Sequence, residues 1–299
     1  MTHVSARRGA LYVTMAATAW GTGGAAGSLL FQTGHLGPVG VSLWRHLLGA
    51  AFLLVIVRRF VLADHLDWRV LPVGAGMAVY QTAYFAAIAH SGVAVATVVT
   101  MGATPVITAV GSRFFLRERL ARGALLALAA ALTGLVLLTM EPALRAAAPS
   151  GEGAPASPAT GVAFALAAAT GYAGVTLLSR RHNDRDPRST AIGGFAVAAV
   201  CLAPFALAEG LVPDMSWPSM ALLIYLGAVP TALAYALYFV ALTALRATTV
   251  AIISLGEAVG AALLGVALFG ERLTPLAWTG CALLLAAVTV LALRARSTG

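Results

Sequence analysis

One carboxylate stands alone in a long apolar run. Glu257 lies about ten residues into the stretch 247–269, which holds no other acidic or basic residue. As a helix, that stretch would put the carboxyl roughly 15 Å from its start, near the middle of a bilayer. A charged group at that depth is costly unless it is neutral, paired or facing water. Glu257 therefore reads as a proton-coupling acid or as an anchor for a solute's amino group. The competing reading is a protonated carboxyl bonded to a neighbouring backbone.

Arg45 lies seven residues into the run 38–57, roughly 10 Å from its start. Its guanidinium could snorkel along the lipid toward the headgroups. Alternatively it faces inward, where it could grip a carboxylate or pair with Glu257. His46 follows about 100° further round the helix, so the two cannot easily share a partner. For His46 a packed or lipid-edge side chain is read ahead of a proton relay.

Around these charges the sequence places aromatic and hydroxyl side chains at helical spacing. Tyr80 and Tyr84 are four residues apart with Gln81 beside them, and the next run carries Thr97 and Met101. Tyr235 and Tyr238 are three apart, Trp20 and Trp44 come from the first two runs, and Ser254 precedes Glu257. Aromatics in membranes often pack or form interfacial belts. Tyrosine hydroxyls in mid-span need partners, and a cavity with a few polar groups supplies them. These residues are the expected cavity lining. Pro105 and Pro230, inside their runs, are the expected hinges, because each removes a backbone donor.

The elements that position these residues are membrane spans. Apolar residues make up 60% of the 299 positions and charged residues 10%, far below the quarter or so typical of soluble domains. Apolar runs fall at 10–31, 38–57, 71–89, 93–112, 121–140, 160–179, 190–208, 218–244, 247–269 and 274–293. With both termini placed in the cytoplasm, sixteen arginines fall inside and only Arg145 and Arg272 outside, with Arg45 within a span. This arginine pattern accounts for the net charge of +8 without a nucleic-acid partner. Cys201 and Cys281 lie in apolar runs at no metal-binding spacing. No metal or cofactor is expected.

The run from Tyr84 to Leu120 returns as Tyr238 to Leu273. Tyr84-Phe85 matches Tyr238-Phe239, and Glu118-Arg119-Leu120 matches Glu271-Arg272-Leu273. A duplication offset by half the chain, with an odd number of spans per half, makes the second half run upside down. The expected fold is all-α: a polytopic membrane protein of ten transmembrane helices, built as two inverted five-helix repeats around a central cavity. The repeats span 1–140 and 160–299, with 141–159, rich in Pro, Ala, Gly and Ser, as an external linker.

Trp20-Gly21, Arg45, the two Glu-Arg-Leu stops and Gly280 appear here in an order that resembles the drug/metabolite transporter superfamily, in particular its EamA-type exporters. Within that group the chain looks most like the bacterial exporters of aromatic and other amino acids. The resemblance implies a basket in which helices one to four and six to nine line a cavity, with five and ten outside. Two departures stand out: Gly171-Tyr172 replaces Trp20-Gly21 in the second half, and no arginine there matches Arg45.

The expected function is secondary export of amino acids or related small metabolites across a bacterial inner membrane by alternating access. Protons are the candidate coupling ion, and the expected state is a monomer or weak homodimer. Other solute classes (drug-like cations, sugars, nucleosides) and a non-transporting scaffold or sensor are the alternatives. No GxxxxGK[ST] loop or HExxH motif occurs and no span holds an aspartate, which argues against ATP-driven transport and against an intramembrane enzyme.

Overall fold

The structure, a computed structural model, describes residues 4–33, 36–57, 67–118, 121–147, 158–182, 186–210, 212–269 and 272–297. Every regular element among them is helical. The first half holds α1 (Ala6–Thr33), α2 (Pro38–Val57), α3 (Leu71–Phe114) and α4 (Arg122–Ala147). The second holds α5 (Pro158–Arg181), α6 (Pro187–Glu209), α7 (Trp217–Gly227), α8 (Ala234–Ala244), α9 (Ala247–Ser254), α10 (Gly256–Phe269) and α11 (Pro275–Ser297).

The sequence predicts two spans and a turn where α3 runs as one helical segment of 44 residues. It is nonetheless a hairpin. Tyr84 Oη and Thr97 Oγ1 share a 2.7 Å hydrogen bond, although a straight helix would hold these residues about 20 Å apart. Gly76 and Gly111 both lie against α5, at Val175 and Leu177, and a straight helix would part them by about 50 Å. The chain therefore doubles back between Tyr84 and Thr97, where the sequence puts a His90-Ser91-Gly92 turn. His90 and Ser91 add side-chain bonds to the carbonyls of Ala86 and Ala87, one turn back. Among the described residues eight stretches are long and apolar enough to cross a membrane. With α1 and the first arm of α3 the count reaches the expected ten.

Three differences from the sequence reading bear on the helices around Arg45, Glu257 and the second repeat. α4 continues past residue 140 to Ala147. The span at 218–244 is interrupted by a π-helical turn, Ala228–Leu233, around Pro230. The span at 247–269 breaks at Leu255, which separates α9 from α10 and puts Glu257 in the first turn of a helix rather than mid-helix. A carboxylate there faces the positive end of the helix dipole.

The two halves exchange their first helices. α1 packs on α8, α9 and α10 of the second half, while α5 packs on both arms of α3 in the first. Glycines make these crossings close. A Cβ at Gly21 of α1 would sit 2.9 Å from the Glu257 carbonyl oxygen, and one at Gly171 of α5 would sit 3.0 Å from the Gly76 oxygen. α2 pairs with α6, and α4 with α11. At one end Glu209, closing α6, accepts bonds from the Val39 and Gly40 amides of α2 at 2.7 and 3.0 Å. Those are amides that a helix start leaves without backbone partners.

Among the glycines described, those of the α4–α11 crossing bring backbone closest to backbone. A Cβ at Gly280 would lie 2.6 Å from the Gly134 oxygen, and one at Gly134 would lie 2.8 Å from the Gly280 oxygen. Gly280→Ala should therefore force the helices apart at a cost of about 1–3 kcal/mol. Its thermal midpoint in detergent is expected to fall by several degrees. Gly102→Ala, with 3.8 Å of clearance, should hold or raise the midpoint. Equal midpoints for the two variants would refute this packing.

Candidate functional site

Between the exchanged helices runs a seam of aromatic rings. Tyr84, Tyr80, Tyr172 and Tyr238 stack in sequence, with centroid spacings of 6.1, 5.0 and 6.1 Å. They come from α3, α5 and α8, so the stack joins both halves. Trp20 of α1 meets it edge-on at Tyr172, 6.4 Å away, and tilted at Tyr238, 5.2 Å away, and lies 5.0 Å from Tyr235 beside the stack. Phe195 of α6 closes the far end, 5.4 Å from Tyr235 and 5.6 Å from the His46 ring. Such centroid separations are those of favourable aromatic pairs.

Local sequence explains the placement. Gly21 lets the backbone of α1 touch the start of α10, which brings Trp20 and Glu257 to one level of the bundle. Tyr80 and Tyr84 share a face because they are one helical turn apart. Tyr238 is held by a 2.5 Å bond to Thr176 of α5, and Tyr84 by its bond to Thr97. The Trp20 Nε1 is buried, with no hydrogen-bond partner among the described residues. An indole N–H in apolar surroundings normally finds an acceptor, so this donor is available to one.

The charges lie beside the seam. Arg45 does not run out along the lipid. Its Nε donates to Oγ1 of Thr231, a fully buried residue of the π-helical turn, at 3.1 Å. Glu257 starts α10, where a Cβ at Gly21 of α1 would meet its carbonyl oxygen beside Trp20. Among the described residues no ion pair joins Arg45 to Glu257, and no hydrogen bond reaches the Glu257 carboxyl. Both residues are only half-buried. His46 is buried and its Nδ1 donates to the Ser42 carbonyl at 2.7 Å, which leaves Nε2 as the acceptor.

The other residues named from sequence scatter more. Gln81 is buried, and no hydrogen bond reaches its amide among the described residues. Met101 is half-buried against the main core. Trp44 packs in a separate cluster with Leu30, Leu223 and Tyr225, away from the stacked rings. The Ser254 hydroxyl bonds its own helix at Val250. Of the two prolines, Pro230 coincides with a change of backbone geometry, whereas Pro105 sits inside helical α3. Sequence reasoning missed Tyr172, Phe195, Thr176 and Thr231. Tyr172 had a signal, since Gly171-Tyr172 occupies the repeat position of Trp20-Gly21.

A second polar constellation ties the halves at one end. Arg180, closing α5, pairs through Nε with Glu118 at 3.1 Å. Its Nη1 donates to the Leu242 and Thr243 carbonyls at the end of α8, at 2.8 and 3.2 Å. Glu118 is delivered there by Arg117, which takes a left-handed φ of 55° and lets the Glu118 amide bond Ser112 O at 3.0 Å. The repeat copy carries Gly270 at that position, the residue that tolerates such a φ best. Close by, Ser112 and Thr248 share a buried 2.8 Å bond between α3 and α9.

An all-helical bundle of ten crossings, made of two related halves that meet in a partly polar seam, defines a polytopic membrane transporter. The chain belongs to the EamA-like transporter family, of the drug/metabolite transporter superfamily, and matches it twice, over residues 7–140 and 159–293. It is similar to the uncharacterized transporter YwfM of Bacillus subtilis (strain 168), at 30% identity over 289 residues, 94% of this chain and 92% of that one. A protein of known crystal structure shares the fold with a TM-score of 0.77 and 22% identity, over 97% of this chain and 98% of its own.

Loss of the Arg180 contacts should loosen its end of the bundle. In an Arg180→Gln background, Thr108→Cys, at a position with 0% exposure in the closed packing, should react with a water-soluble maleimide at least several-fold faster than in the parent. Equal labelling rates would show that Arg180 is not holding that end closed.

Proposed function

We propose that this chain is a secondary exporter of small zwitterionic metabolites, amino acids with an apolar or aromatic body foremost, working by alternating access across a bacterial inner membrane. The observation that carries this reading is the placement of Arg45 and Glu257. They are opposite charges that no ion pair joins among the described residues: Arg45 is held by Thr231 in the turn leading to α8, and Glu257 starts α10 where Gly21 brings in Trp20, beside a seam of rings contributed by both halves. An α-amino acid presents the complementary charges on neighbouring atoms. Its carboxylate suits the guanidinium, and its ammonium suits the Glu257 carboxyl and the faces of the tyrosines. Its side chain lies against the stacked rings.

Glu257 can take either the solute's ammonium or a proton, but not both. Exchange of one for the other would couple outward solute movement to inward proton movement. The arginine distribution places Arg180 at the cytoplasmic end. Its bonds to Glu118 and to α8 then close the inner mouth, while Glu209 with the α2 amides lies at the outer end. Opening inward would break the Arg180 set and keep the Glu209 bonds.

Counterflow into proteoliposomes tests the site. Vesicles preloaded with unlabelled phenylalanine or leucine should accumulate external labelled tracer. Tyr172→Ala should lower the rate about tenfold or more, because each aromatic contact contributes about 0.5–1.5 kcal/mol beyond its buried area and the stack breaks at its centre. Glu257→Gln should retain exchange at one pH while losing acceleration by a proton gradient. Rates that ignore Tyr172 would discard the seam as the site. Exchange of sugars or nucleosides but no amino acid would reassign the solute class.

A further inference from the structure

The π-helical turn between α7 and α8 is built around one hydroxyl. Pro230 has no N–H to donate, and the backbone around it widens over Ala228–Leu233. Within a regular helix a threonine hydroxyl bonds the carbonyl three or four residues back. Thr231 instead reaches Leu226 O, five residues back, at 2.7 Å. That bond uses the hydroxyl hydrogen and leaves its lone pairs to accept from Arg45 Nε at 3.1 Å. The methyl is fixed as well, because Gly49 of α2 approaches it so closely that a Cβ there would lie 2.7 Å from Thr231 Cγ2. With the methyl and the hydroxyl both held, the side chain has one orientation.

A guanidinium can receive a carboxylate on its Nε–Nη edge or on its Nη–Nη edge. Here Thr231 occupies Nε, and among the described residues neither Nη has a partner. We propose that Thr231 is a positioning residue for solute selection: by holding Nε it turns the Nη–Nη edge toward the seam and makes a solute carboxylate, taken end-on, a requirement for tight binding. This rests on the reading of Arg45 as the carboxylate anchor. A lysine could not serve, since it offers no second parallel donor.

The test is counterflow of labelled L-phenylalanine, with phenethylamine, its counterpart lacking the carboxylate, as competitor. Thr231→Val should raise the half-saturation concentration about tenfold, the scale of a lost hydrogen bond to a charged group. Maximal rate and inhibition by phenethylamine should be unchanged, and Thr231→Ser should behave as wild type. Arg45→Lys should lose as much affinity as Thr231→Val or more. The proposal is overturned if Thr231→Val matches wild type, or if it lowers maximal rate with no change in half-saturation. If Arg45→Gln exchanges phenylalanine normally, or wild type exchanges neither phenylalanine nor leucine, the reading of the central site falls first and this one with it.

Discussion

The contact on which most of the interior depends is backbone against backbone. At Gly21, α1 approaches the first turn of α10 so closely that a side-chain carbon would meet the Glu257 carbonyl at 2.9 Å. Lipid gives helices no hydrophobic drive toward one another, so close packing at small residues must hold them together. Here that packing also sets the chemistry. It fixes the height of Glu257 relative to Trp20, and it draws α1 out of its own half. The reciprocal crossing of α5 over α3, through Gly171 and Gly76, brings Tyr172 against Tyr80. Two crossings thus deliver rings and charges from both repeats to one place.

Departures from regular helix fall where polar groups need them. A membrane helix can lose a backbone hydrogen bond only where something else satisfies the freed group. At Pro230 the π-helical turn frees room for Thr231, which bonds both the backbone and Arg45. At Leu255 the break starts a new helix just ahead of Glu257. Both irregularities belong to the second repeat, and their counterparts in the first are the helical arms of α3. The repeats therefore share a scaffold but differ in detail: the first carries Arg45, the second the π-helical turn, the break at Leu255 and Glu257.

Much of this could be read in the residues before any coordinates. Apolar run length and arginine placement set the class and the number of crossings, because the bilayer allows few other solutions. The duplicated Tyr-Phe and Glu-Arg-Leu segments revealed two halves. What stayed hidden depends on contacts between distant segments. Nothing near Thr231 in the chain points to Arg45, which is 186 residues away. Tyr172 looked like a lapse in the repeat and proves to be the centre of the stack. Trp44 had the right residue type and span, but its face of α2 turns toward α1 and α7. Periodicity says that a helix has faces without saying which neighbour each face meets. The tight turn expected at His90-Ser91-Gly92 lies inside the stretch over which α3 reverses.

The exchange of first helices also bears on how the chain is made. α1 leaves the ribosome well before its partners of the second half, since α7 and the helices after it begin more than 200 residues later. At synthesis rates of about 5–20 residues per second, that separates them by roughly 10–40 s. Throughout that interval the face bearing Gly21 and Trp20 has no mate within the chain. The first repeat is then an open clasp in the bilayer, and its neighbours there are lipid, the insertion machinery or another nascent copy. A close crossing of small residues is a surface that other membrane helices can also fit. The architecture that joins the halves so firmly once complete carries, during assembly, a window for pairing with the wrong chain.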